Sequence, residues 1–363
     1  PIFFDPIIAL IFGIFIITLA TIKHGLSERI ALFLASKARG FLTLMLVLTL
    51  FAMFISMWFT PLMAIILMLP TVNTILKVIG KGVDDPHARA IILSTLFGAM
   101  CGGMLTIIGS PANMLSVTIA KRLVGLDITL LEWSLYAIVP TFLVMFVTIS
   151  FVYLKYLRKA SKFDSTKLIV LEASYKGLGP MKREEKITII IILLIIFLWI
   201  LHPIINIPLS SVPLIGAFIL LAFGLMDAND LRSIPWNLIL ILGGSLVLSQ
   251  VIYSTGIIDF LLLEASNLGA AGILFLIIVG FLMSFVLDQP ASVAITLPLL
   301  LLAFKAKIIY VVFMSIIITA NLLSPSSMAV QSIIEERGIK VYHDFKEALV
   351  ACIILTVPIF LTI

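Results

Sequence analysis

Trp58-Phe59-Thr60-Pro61 interrupts one long apolar run, over 42–76, and Leu287-Asp288-Gln289-Pro290 interrupts a second, over 272–304. A helix rises about 1.5 Å per residue and a hydrocarbon core is about 30 Å thick, so each run is long enough to enter a bilayer twice. Proline removes a backbone donor and disfavours helix at the residue before it, which predicts a turn at membrane depth in each run. The two stretches read as re-entrant helical hairpins.

The surrounding composition places these hairpins in lipid. Hydrophobic residues make up 62% of the 363 positions and charged residues 12%, with a mean hydropathy of +1.25. Apolar segments without period-2 alternation favour helices over a barrel. Run lengths place helices near 6–22, 90–120, 135–157, 187–203, 211–226, 236–254, 308–334 and 347–363. The fold class expected is an all-α, multi-pass membrane protein. Cys101 and Cys352 sit inside apolar segments without metal-ligand or disulfide spacing and read as packing residues. The net charge of +5 fits basic cytoplasmic loops, so no nucleic-acid partner is expected. The chain opens Pro1-Ile2-Phe3-Phe4, which reads as a start inside a longer protein.

Charge placement sets the sidedness. Lys23, Arg29, Lys37 and Arg39 precede the first hairpin and Lys77, Lys81 and Arg89 follow it, so both flanks read as cytoplasmic. Segment 155–186 carries nine Lys or Arg against four acids and reads as a cytoplasmic connector. Stretch 255–271 has Asp259 and Glu264 and no Lys or Arg, as expected outside, although Lys305 and Lys307 follow the second hairpin. Arg232, Arg337, Lys340 and Lys346 lie inside, which leaves the C-terminus outside the inner (plasma) membrane.

An internal repeat accompanies this topology. Twelve residues separate Gly13 from Gly25, and twelve separate Gly244 from Gly256; Met68-Leu69-Pro70 matches Thr296-Leu297-Pro298. Gly109-Ser110-Pro111-Ala112-Asn113 pairs with Leu323-Ser324-Pro325-Ser326-Ser327. The same order of elements on opposite sides is an inverted-topology repeat, an architecture of secondary transporters. The first copy spans 1–154 (hairpin 42–76, broken helix 90–120). The second spans 187–363 (hairpin 272–304, broken helix 308–334), beyond the connector 155–186. Two helices, 187–203 and 211–226, precede the body of the second copy, so an N-terminal extension is expected to supply their counterparts.

The Ser-Pro pairs mark where a helix opens. Freed carbonyls, with the hydroxyls of Ser110, Ser324, Ser326 and Ser327 and the amide oxygen of Asn113, are hard donors suited to an alkali cation, and exposed helix N-termini favour an anion. A proline kink satisfied by serine is the alternative for either motif taken alone. Asp288 stands out because a carboxylate in an apolar segment costs a few kcal/mol unless paired, hydrated or protonated; it reads as a cation ligand, a proton carrier, or a solvated hairpin tip. Trp58 and Trp236 read as packing or interfacial aromatics, and Gly102-Gly103 and Gly243-Gly244 as close helix contacts. His24, His87, His202 and His343 read as solvated loop residues.

These residues together resemble the divalent anion:sodium symporter family of the ion transporter superfamily. Ile55-Ser56-Met57-Trp58-Phe59-Thr60-Pro61 is similar to its first hairpin, and Gly109-Ser110-Pro111-Ala112-Asn113 to its Gly-Thr-Pro-Pro-Asn loop. Where that family carries Ser-Asn-Thr at each tip, this chain has Thr60-Pro61-Leu62 and Asp288-Gln289-Pro290. An acid beside proline is closer to the arsenite-pump and sodium/proton-antiporter branches. The resemblance implies an elevator mechanism in a homodimer, with amphipathic arms at 26–38 and 257–267. It implies sodium-coupled symport of a small anion, dicarboxylate or sulfate-like. Sodium would sit at Thr60 with Gly109, Ser110 and Asn113, and at Asp288 with Ser324, Ser326 and Ser327. Substrate would meet Thr60, Pro61, Asn113, Asp288, Gln289 and Pro290. No other cofactor is expected. Sodium/proton antiport or arsenite-type export through Asp288 is the second reading. Intramembrane proteolysis lacks a second suitable membrane aspartate or a His-Glu-x-x-His helix, so no enzyme is expected.

Overall fold

The computed structural model describes residues 6–234 apart from 83, 159, 161, 162, 165–167 and 206, together with 271–304, 307–321 and scattered positions between and beyond. Every regular element among them is helical. In chain order they are α1 (Pro6–Lys23), α2 (Leu26–Ser36), α3 (Phe41–Phe59), α4 (Pro61–Val78), α5 (Pro86–Leu105), α6 (Pro111–Val124) and α7 (Leu130–Val152), which runs into a π turn over Tyr153–Leu157. There follow α8 (Leu168–Gly177), α9 (Arg183–Ile205), α10 (Val212–Ala222), α11 (Ala228–Leu231), α12 (Ala271–Met283), α13 (Gln289–Ala303) and α14 (Ile308–Thr319).

Five of these helices, α3, α4, α5, α7 and α9, are long and apolar enough to cross a membrane, and the α1–α2 pair, bent by 66°, makes a sixth candidate. The chain is a multi-pass membrane protein. Lipid-facing stripes are visible on the outer helices: Leu131, Leu135, Val139, Phe142 and Phe146 are exposed along one face of α7, and Ile190, Leu193, Phe197, Ile200 and Ile204 along α9. Their spacing of three or four residues keeps each set on one side of its helix. By contrast, α5 is buried along nearly its whole length.

Two breaks define the architecture. α3 stops at Thr60, whose φ of 73° and ψ of 153° lie in a region that only glycine adopts without strain. Pro61 then starts α4 in the first-turn position where its missing N–H costs nothing. In the second stretch, Asp288 adopts φ 69° and ψ 163°, and α13 starts with Gln289 and Pro290. Thr60 and Asp288 are the non-glycine residues with positive φ among those described. A proline lies inside each following helix, Pro70 in α4 and Pro298 in α13, ten residues beyond the strained position in both. α3 packs on α4 and α12 on α13. α3 and α4 are each long enough to span, so length alone does not fix how deep the first hairpin reaches.

Glycine allows α5 to sit at the centre. A Cβ on Gly98 would lie 2.3 Å from the carbonyl oxygen of Thr49, one on Gly102 2.2 Å from that of Met53, and one on Gly103 2.5 Å from Pro61 Cγ. Spaced Gly98-x-x-x-Gly102, they let the backbones of α3 and α5 meet without side chains between them. The second hairpin uses the same device at Gly280, where a Cβ would lie 2.7 Å from Thr296 Oγ1.

The expected amphipathic segment 26–38 is α2. Its Arg29 is buried, with Nε 2.7 Å from Glu185 Oε1 and Nη1 2.8 Å from the carbonyl of Gly179. This pair ties α2 to the start of α9, and removing one partner would leave the other charge buried.

Several boundaries differ from the sequence reading. The helix expected over 135–157 starts at Leu130, because Thr129 and Glu132 form a reciprocal cap: Glu132 N donates to Thr129 Oγ1 at 3.2 Å and Thr129 N to Glu132 Oε2 at 2.9 Å. The broken helix expected over 90–120 breaks before Ser110-Pro111 as read, but its two pieces, α5 and α6, reach out to Pro86 and Val124, and the connector 155–186 contains α8. His87 is not solvated: it is buried, with Nδ1 3.0 Å from Asp85 Oδ1 and its ring edge-on to Phe41. Segments 236–254, 257–267, 322–334 and 347–363 lie for the most part outside the described residues.

Gly98→Val and Gly102→Val should each lower the unfolding midpoint of the purified protein, by about 1–3 kcal/mol of overpacking. Unchanged midpoints would mean that α3 and α5 do not touch backbone to backbone.

Candidate functional site

At the first break, α5 ends at Leu105 and α6 begins at Pro111, leaving residues 106–110 between them. Ser110 caps α6, its Oγ accepting from Ala112 N at 3.3 Å. The last carbonyls of α5 have lost their helical donors and are buried, so each needs a donor from the protein. Asn113, fully buried, supplies two: Nδ2 donates to Gly103 O at 2.9 Å and to Thr106 O at 2.8 Å. Its Oδ1 accepts from Ser315 Oγ on α14 at 2.8 Å, a bond between the two halves of the chain.

Thr106 joins the loop to the hairpin. Its Oγ1 donates to the carbonyl of Met57 on α3, three residues before the Thr60 tip, and accepts from Gly109 N at 3.0 Å. Pro61 lies against Gly103, beside the carbonyl of Gly109. The structure therefore brings Pro61, Gly109, Ser110 and Asn113 into one neighbourhood at the tip of the first hairpin, with Thr60 buried there. Ser56 Oγ, four residues before Thr60, is buried without a hydrogen-bond partner.

At the second break Gln289 plays the bridging part. Its Nε2 donates to Thr319 O at 3.2 Å and Ser324 Oγ at 3.1 Å, and lies 3.5 Å from Asn321 O. Asn321 Nδ2 donates to Ser284 Oγ at 2.8 Å, and Ser284 Oγ to Phe281 O at 2.6 Å. Asp288 and Pro290 are buried at this tip, and Ser292 Oγ donates to the Asp288 carbonyl at 2.8 Å. Asp288 is thus not a solvated tip; its residue is 1% exposed. Ser326 and Ser327 lie outside the described residues. α13 and α14 both pack on α6, which sets the second tip beside the first broken helix.

Thr106, Ser284, Ser315 and Asn321 were not singled out from the sequence. Ser315 and Asn321 are polar residues inside an otherwise apolar run, a signal that could have marked them. Thr106 carries only the weak signal of lying three residues before Gly109. Among the described residues no group of three His, Cys, Asp or Glu is placed to hold a metal. The oxygen donors at both breaks are neutral hydroxyls, amides and carbonyls, with Asp288 as the carboxylate.

Comparison with known proteins shows the family. The pattern described as "Sodium:sulfate symporter transmembrane region" matches residues 2–334, and the chain belongs to that family. It is 30% identical over 246 residues to an uncharacterized transporter of Methanocaldococcus jannaschii, covering 66% of this chain and 52% of that protein. It is 24% identical over 291 residues to the sodium-dependent dicarboxylate transporter SdcS of Staphylococcus saprophyticus, covering 71% and 54% respectively. A putative malate transporter of Bacillus subtilis is 26% identical over 167 residues, covering 45% and 35%. The matched segments thus cover between about a third and about half of the length of these relatives.

Two variants separate strain from bonding at the first tip. Thr60→Gly should raise the thermal midpoint, because relief of about 1–3 kcal/mol of backbone strain exceeds the about 0.5–1 kcal/mol entropic cost of glycine. Asn113→Ala should lower it, leaving two buried carbonyls without donors at about 1–3 kcal/mol each. Destabilisation by Thr60→Gly would show that the hydroxyl outweighs the strain.

Proposed function

We propose that the protein is a secondary active transporter that couples sodium entry to uptake of a small divalent anion, a dicarboxylate or a sulfate-like oxyanion. The observation that carries this reading is the shared geometry of the tips. Two non-glycine residues hold the same strained backbone, each between two successive helices and each beside a hydrogen bond to the residues that follow the C-terminus of a neighbouring helix. Strain of this kind persists where the surroundings impose it and clusters at ligand sites. The family and the transporters it resembles point to the same chemistry.

In this reading the chain holds two inverted repeats with re-entrant hairpins. Sodium sits among the carbonyls and hydroxyls around Thr60, Gly109, Ser110 and Asn113. The anion lies between the tips, near Thr60, Pro61, Asp288, Gln289 and Pro290, where the N-termini of α4, α6 and α13 offer partial positive charge. Transport is by an elevator movement of both hairpins and both broken helices against a scaffold of a homodimer in the inner membrane. Between the first hairpin and α1, α2 and α9 lies an open pocket of about 90 Å3 lined by Thr18, Thr21, Ser27, Phe51, Trp58 and Ile192, so this contact, along which the movement would run, is not close-packed.

A second reading is favoured by the buried carboxylate of Asp288: sodium/proton antiport, or arsenite-type export, with Asp288 as the coupling group. Protein reconstituted in liposomes separates the two. An inward sodium gradient should drive uptake of labelled dicarboxylate or sulfate well above that under a potassium gradient. Asp288→Asn should leave sodium-dependent uptake measurable. Sodium/proton exchange without any anion, abolished by Asp288→Asn, would overturn the symport reading.

A further inference from the structure

Both halves must hold the carbonyls freed where a helix ends inside the bilayer, but they do so from opposite sides. In the first half the donor is an amide of the broken helix itself, Asn113 Nδ2, reaching back to Gly103 O and Thr106 O. The hairpin residue in the matching place is Pro61, which has no donor to offer. At the matching sequence positions of the second half Ser326-Ser327 stands for Ala112-Asn113, while the tip carries Gln289 instead of proline. The amide has changed partners, from the loop to the hairpin.

That exchange places a nitrogen among oxygens. Gln289 Nε2 faces Thr319 O, Asn321 O and Ser324 Oγ at 3.2, 3.5 and 3.1 Å. Two of these are carbonyls at the C-terminal end of α14, Thr319 O in its last turn and Asn321 O just beyond it, oxygens that carry the partial negative charge of a helix C-terminus and can only accept. A set of carbonyl and hydroxyl oxygens converging at a helix end is what a hard monovalent cation takes; here the partly positive –NH2 group of Gln289 stands in its place. Neighbouring groups are bonded as well: Asn321 Nδ2 to Ser284 Oγ, and Ser284 Oγ to Phe281 O. At the first tip the residue corresponding to Ser284 is Ser56, four before the strained position in each case, and its buried Oγ has no hydrogen-bond partner.

We infer that Gln289 is a built-in substitute for a cation. Its amide latches the second hairpin to the loop of the second broken helix irrespective of sodium, so the ion acts at the first half, where Ser56 Oγ is left to be satisfied. The inference rests on the sodium-coupled reading given above. It makes Gln289 the residue that sets how many ions accompany each anion.

The test counts sodium. Radioactive sodium binding to the purified protein should reach one ion per chain, with choline holding ionic strength constant; two per chain overturns the inference whatever the variants do. Gln289→Glu turns the donor into an acceptor facing three other acceptors, so it should bind one ion more than wild type and show a sodium-dependent rise in thermal midpoint larger than wild type's. Should that variant not fold, Gln289→Ala opens the same space without a charge and should likewise gain one ion. A count equal to wild type's in whichever variant folds overturns the inference. Wild type that binds no sodium overturns the symport reading and the one-ion count that rests on it, while a gain of one ion by Gln289→Glu still supports the substitution of Gln289 for a cation. Wild type that binds two, with sodium-driven uptake intact, upholds the symport reading and overturns the inference.

Discussion

Backbone carbonyls set free at a helix end that is buried in the protein must be satisfied by the protein itself, and the structure around both tips follows from that constraint. An open helix end packed among side chains is stable only if side chains or ligands supply the missing donors. Asn113 does so for Gly103 and Thr106, and Gln289 for Thr319 and Asn321. Each amide also fixes where a hairpin sits: Gln289 directly, Asn113 through Thr106 and its bond to Met57. Opening a helix and holding a hairpin tip are one problem with one solution.

The close helix contacts serve the same end. Because Gly98, Gly102 and Gly103 carry no side chain, α5 lies against α3 and Pro61, and the carbonyls at its end come within reach of the tip. The strained conformations of Thr60 and Asp288 then turn each chain back sharply enough for α4 and α13 to start at the loop. A glycine would relieve the strain at either place, yet it would carry neither a hydroxyl nor a carboxylate to a ligand. A functional group is kept at a position that backbone energetics alone would assign to glycine.

Much of this was legible in the sequence, and the remainder was hidden for identifiable reasons. Apolar run length and the prolines at Pro61 and Pro290 located both helix breaks, and Ser110-Pro111 located the start of α6, because capping and proline effects act within a few residues. The start of α7 was missed since Glu132 reads as a loop charge until its reciprocal bond to Thr129 is seen. His87 was misplaced because its burial comes from Phe41 and Phe163, far away in sequence. Thr106 and Ser315 act through partners 49 and 202 residues away, which local patterning does not report. The unequal chemistry of the two tips was visible as Thr-Pro against Asp-Gln-Pro. That the glutamine would reach the carbonyls of α14 required coordinates.

Depth of the first tip is the point on which the rest turns, since α3 and α4 are each long enough to cross the membrane as ordinary spans. The direct measurement is the rate at which a membrane-impermeant thiol reagent modifies Thr60→Cys, with both native cysteines replaced, from each side of sealed vesicles and with or without sodium and anion. A tip held within the membrane beside the site predicts slow modification from one side, slowed further about tenfold or more by sodium with anion, as expected when ligand occupies the site. Rapid modification from the outside, unaffected by either ligand, would place Thr60 in bulk solvent at the end of two full spans and contradict the site described here.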